Sequence, residues 1–93
     1  MKIFQFQFSR KAEDEFATLA KPLRQRIFAK LCFFEKAKNP LSFAKKLTGR
    51  EHQFRFRIGD YRIIVEPHAQ KNGETVYVIL VILKVGHRRE VYE

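Results

Sequence analysis

The sequence predicts an α+β domain: an N-terminal strand, a two-helix antiparallel hairpin, then a three-strand antiparallel meander, with the helices packed on one face of the sheet. Three observations carry this. In "KIFQFQF" (residues 2–8), Phe4, Phe6 and Phe8 alternate with Ile3, Gln5 and Gln7, which is the pattern of a strand with one buried face. Residues 10–39 instead space their apolar side chains at helical intervals. From Phe54 onward the period of two returns, in "FRFRIGDYRIIV" and "TVYVILVILKV". Helices and strands that come in blocks, rather than as alternating βαβ units, build an antiparallel sheet with its helices on one side. A chain of 93 residues holds one hydrophobic core, so residues 1–93 form a single domain.

Each element has a local reason. Ser9 is a good N-cap, and Glu13, Asp14 and Glu15 suit the positive end of a helix running to about Ala20. Pro22 opens a second helix, where its missing N–H costs nothing. Leu23, Ile27, Leu31 and Phe34 share one face of it, and Asn39-Pro40 closes it. Phe33 falls outside that face, so either a loop or the segment 40–48 covers it or it is an exposed anchor for a protein partner. Residues 40–52 read as a connector with some helical character, broken at Gly49. Gly59-Asp60 fits a two-residue hairpin turn, which sets Ile58 opposite Tyr61 and Arg57 opposite Arg62. Phe54, Phe56, Ile58, Tyr61, Ile63 and Val65 then share one face, and Arg55, Arg57, Arg62, Ile64 and Glu66 the other. "PHAQKNGE" reads as a polar loop. The last strand is apolar on both faces, the mark of a central strand.

Composition narrows the function classes. A net charge of +9 and a pI near 10.1 imply an anionic partner, whether nucleic acid, an acidic protein or a membrane surface; the alternative is basicity that serves only solubility. The single Cys32 excludes an internal disulfide, and no Cys/His spacing resembles a metal site. No metal and no cofactor are expected. The N-terminus lacks a signal-peptide pattern, and "VYVILVIL" is far short of the roughly 20 residues of a membrane helix. A cytoplasmic protein without membrane attachment is expected.

The arginines locate a candidate site. Like charges directly opposite on a sheet destabilise it, so Arg57 and Arg62 need another reason to face each other. The chain ends "GHRREVYE", and a last strand antiparallel to residues 61–66 returns this tail to the turn. His87, Arg88 and Tyr92 are thereby aimed at the end of the sheet bearing Arg57 and Arg62.

The pattern R-x-R-x-G-x-Y-R (Arg55, Arg57, Gly59, Tyr61, Arg62), followed by an apolar strand and "GHRREVYE", resembles the RelE/ParE toxin superfamily. The tail is similar to its RelE branch, which implies a RelE-like fold and a type II toxin-antitoxin toxin. Such a toxin is a metal-independent endoribonuclease that cuts messenger RNA in the ribosomal A site, against 16S ribosomal RNA, and a cognate antitoxin restrains it. The resemblance implies that Arg55 and Arg57 bind or activate the scissile nucleotide and that Arg62 stabilises the phosphate. Arg88 and Tyr92 correspond to the family's late arginine and tyrosine, and some relatives use a glutamate near Glu51. Where RelE has lysines, this chain has Arg55 and Arg57. His87 would protonate the leaving group or contact phosphate; Tyr92 would act as a base or stack on a nucleobase. The chemistry is attack of the 2′-hydroxyl on the adjacent phosphorus, with guanidinium forks stabilising the added charge. The alternatives are a ParE-like DNA gyrase poison without nuclease activity and a non-catalytic RNA-binding member of the fold.

Overall fold

The computed structural model describes residues 1–50 and 52–91. In chain order the elements are β1 (Lys2–Phe8), α1 (Arg10–Ala17), α2 (Lys21–Glu35), a 3-10 turn (Pro40–Phe43), β2 (Ala44–Lys46), β3 (Phe54–Ile58), β4 (Tyr61–Asn72), β5 (Thr75–His87) and α3 (Arg88–Val91). The strands form one sheet in the order β1-β5-β4-β3-β2. β2 to β5 pair antiparallel in sequence order, while β1 joins β5 in parallel. The α+β reading holds, with this parallel edge as an addition to the antiparallel sheet expected.

The helices form where the sequence places them. Ser9 caps α1, its Oγ accepting the Ala12 N–H at 3.1 Å. Pro22 lies in the first turn of α2. Both helices end earlier than expected, at Ala17 and Glu35. The core is built by Ala12 of α1, by Ile27, Leu31 and Phe34 of α2, and by the inward sides of β3, β4 and β5, with Phe4, Phe6 and Phe8 of β1 packed against it. Glu35 closes part of the open edge of β1 by accepting the Phe6 N–H at 2.9 Å, one of the ways an edge strand is kept from pairing with other chains.

Two segments depart from expectation. The connector contains a strand: after the 3-10 turn, Ala44, Lys45 and Lys46 pair with Phe56, Arg55 and Phe54. The polar "PHAQKN" is not a loop but the outer half of β4, paired with β5 from Pro67↔Leu80 to Asn72↔Thr75. β3 reaches only as far as Val65, so Pro67 lies in a stretch of β4 that is an edge, where a residue without an N–H is tolerated. Phe33 remains 57% exposed; the Phe43 ring meets its edge at 5.7 Å without covering it.

Candidate phosphate-binding site on the outer face of the sheet

The hairpin places the arginines. Gly59 takes φ +59°, a left-handed value that glycine adopts without strain. A Cβ there would also stand 3.4 Å from Nη1 of Arg26, which reaches the turn from α2. The register is the one the sequence gives reason to expect, Ile58↔Tyr61 and Arg57↔Arg62. Phe56, Ile58 and Ile63 are buried in the core, so the alternation of β3 and β4 turns Arg55, Arg57, Arg62 and Ile64 to the opposite, outer face.

On that face the cross-strand registers combine into two rows. One runs Lys45, Arg55, Ile64, Lys84 across β2, β3, β4 and β5. The next runs Arg57, Arg62, Gly86. Gly86, itself buried, brings no side chain to the row beside Arg62. Arg62 is only 3% exposed. Its Nη1 donates to the Gly59 and Tyr61 carbonyls, each at 2.9 Å. Its Nε has no hydrogen-bond partner among the described residues. A buried donor left in this state costs free energy unless something anionic or carbonyl-like completes it.

Lys84 reaches the outer face through a β-bulge. Val78, Leu80 and Ile82 point into the core, and strict alternation would send residue 84 inward as well. Instead Ile64 pairs with Lys84 while Val65 pairs with Ile82, leaving Leu83 as an extra residue on β5. The extra residue reverses the alternation, so Val85 fills the core and Lys84 faces outward beside Leu83. The Val85 N–H at this irregularity is held by the Glu15 carboxylate of α1 at 3.0 Å. Lys84, Lys45, Lys46, Arg50, Arg55 and Lys11 line an open cavity of about 580 Å³. No acidic side chain lines it among the described residues.

The tail is divided between the faces. Arg88 opens α3 with its backbone N–H donated to the Asp60 carbonyl at 2.8 Å, which brings exposed Arg88 to the turn that Arg62 braces. His87 pairs with Tyr61 on the opposite face from Arg62, their rings edge-to-face at 5.6 Å. Its Nδ1 accepts the Arg89 N–H at 3.2 Å. Tyr92 and Glu51 lie outside the described residues. The structure thus gathers Arg55, Arg57 and Arg62 on one face with Arg88 at its end, and sets His87 behind the sheet. Sequence reasoning did not single out Lys45 and Lys84 as members of this cluster. The signal for Lys84 was present: a lysine at a core parity position of an apolar strand demands a bulge.

Chemically, a cationic face carrying several guanidinium groups suits a phosphodiester, because a guanidinium fork can offer parallel donors to two phosphate oxygens. Among the described residues, no group of three or more His, Cys, Asp or Glu side chains is placed to hold a metal ion. No helix among them is long and apolar enough to cross a membrane.

The RelB-RelE antitoxin-toxin complex of Methanococcus jannaschii contains a chain of this fold, with TM-score 0.59, 23% identity, and coverage of 91% of this chain and 93% of that one. The RelBE2 toxin-antitoxin complex of Mycobacterium tuberculosis gives TM-score 0.58 at 28% identity over 92% and 99%. The intact E. coli RelBE complex gives 0.54 at 22% over 88% and 93%. No curated protein matches the chain. A family model described as the ParE toxin of type II toxin-antitoxin systems, parDE, matches residues 6–92. The chain belongs to that family, and with it to the RelE/ParE toxin superfamily.

Proposed function

We propose that this toxin is a ribosome-dependent endoribonuclease that cleaves messenger RNA in the A site and is neutralised by a cognate antitoxin. The observation that carries the reading is the row Arg57, Arg62, Gly86: two like charges held opposite each other, one buried with an unpartnered donor, beside a residue without a side chain. A protein gains nothing in stability from that arrangement. A phosphate seated there would satisfy both guanidinium groups.

In this reading Arg55, Arg57, Arg62 and Arg88 grip the scissile phosphate and align the 2′-hydroxyl for in-line attack. They stabilise the charge that builds on the non-bridging oxygens. Tyr92 follows Arg88 closely enough in the chain to serve as a stacking or proton-accepting group. His87, behind the sheet, positions the end of β5 through Tyr61. The antitoxin reading is supported by the neighbouring structures, which are antitoxin-toxin complexes, and by the +9 charge, which favours an acidic partner.

Primer-extension mapping of transcripts after induction tests this. Cuts in phase with codons are expected, and they should vanish in Arg62→Ala and weaken in Arg62→Lys, which keeps the charge but loses the fork. Growth arrest with intact messenger RNA and a DNA-damage response would replace this reading with the gyrase alternative. Thermal unfolding of both variants separates lost chemistry from lost fold.

A further inference from the structure

We propose that Lys84 is the catalytic acid of this site, delivering a proton to the departing 5′-oxygen; the assignment rests on the ribonuclease reading above. Placement is the first argument. The bulge at Leu83 turns a residue of core parity onto the outer face, and bulges near functional sites commonly re-aim one side chain in this way. Lys84 stands two residues from Gly86 along β5, about 6.6 Å at the usual rise per residue. Gly86 in turn lies opposite Arg62. Lys84 also lines one cavity with Arg55, directly along the row that joins them across β4, so its ammonium lies beside a phosphate that Arg55 helps to hold.

Proton capacity is the second argument. Guanidinium groups keep their protons under any condition in which a protein is folded, so Arg55, Arg57, Arg62 and Arg88 bind charge but transfer none. His87 faces the other side of the sheet. Lys45 is exposed on the three-residue edge strand β2. Lys84 is half-buried on β5 and paired with Ile64 of β4, which gives the fixed placement a proton donor needs. With no acidic side chain lining its cavity among the described residues, its ammonium is available to an anionic substrate.

The 2′-oxygen bonds to phosphorus while the bond from phosphorus to the 5′-oxygen breaks, and the 2′-proton passes to a water molecule. The Lys84 ammonium gives a proton to the 5′-oxygen. The products are a 2′,3′-cyclic phosphate and a 5′-hydroxyl, and the neutral amine regains its proton from the hydronium formed.

The test uses purified wild type, Lys84→Met and Lys84→Arg on ribosomes programmed with messenger RNA. The cut site carries either the natural 5′-oxygen or a bridging 5′-sulfur, which leaves without a proton. With oxygen, both variants are expected to lose roughly 10²–10⁴-fold in rate, the usual share of a positioned acid. With sulfur they should cut within about tenfold of wild type, because no acid is then required. Equal losses on both substrates would make Lys84 a binding group, and undiminished cutting of the oxygen substrate would give it no role; either overturns the assignment. A wild type that cuts neither substrate would instead overturn the ribonuclease reading itself. Lys84→Arg guards against misfolding of Lys84→Met, since it keeps the charge and the long apolar stem.

Discussion

Replacing Arg57 with glutamine should make the protein more stable and less active at once. Arg57 stands directly across from Arg62, and Arg62 cannot swing away, because its Nη1 is fixed on the Gly59 and Tyr61 carbonyls. Opposed like charges on adjacent strands cost about 0.2–1 kcal/mol. Arg57→Gln removes that repulsion while keeping a long polar side chain on an exposed strand position. For a domain this size each kcal/mol moves Tm by about 4–8 °C, so the melting midpoint should rise by about 1–8 °C. Calorimetry at low salt and at about 1 M salt, where the screening length falls to about 3 Å, separates the cause: the gain should shrink in high salt. In the same variant the cleavage rate should fall by roughly 10²–10³-fold, the usual loss for one charge-stabilising donor. A variant less stable than wild type, or a gain indifferent to salt, would refute the argument that the pair is held against its own repulsion.

Two further substitutions test the scaffold. Phe56 is fully buried and its ring meets Phe6 at 5.4 Å and Phe34 at 5.0 Å, joining β1, β3 and α2; Phe56→Ala should cost about 3–5 kcal/mol in urea unfolding, and a loss below about 2 kcal/mol would mean the core closes around the gap. Ser9→Ala removes the α1 cap seen in the 3.1 Å bond to the Ala12 N–H and should cost about 1 kcal/mol, whereas Ser9→Asp should hold stability near wild type.

The hairpin and the buried face of α2 were legible because both depend on local rules. A two-residue turn at Gly59-Asp60 permits one register, and that register assigns every side chain from Phe54 to Val65 to a face. The stripe Ile27, Leu31, Phe34 needs only the helical period. β2 was not legible, since "AKK" has no alternation to betray it and its extended form comes from pairing with β3. The outer half of β4 escaped for a similar reason: Pro67 and the polar residues after it argue for a loop, and only the partner strand β5 holds them extended. His87 was aimed at the correct end of the sheet, but the face was missed. One inserted residue at Leu83 reverses the alternation of everything after it on β5.

That reversal is what links the fold to the chemistry proposed for it. Without the extra residue, and with Ile82 in the core, β5 would turn Lys84 and Gly86 inward and Val85 outward, so all three would be misplaced. Glu15 reaches across from α1 to hold the Val85 N–H, so the irregularity is braced by a helix rather than left to solvent. An irregular strand, a pair of opposed arginines and a buried unpartnered Nε each weaken the free protein. All three lie close together on the adjacent strands β3, β4 and β5. Costs that converge in this way are expected where a ligand completes the structure, and the ligand chemistry they share is that of a phosphate.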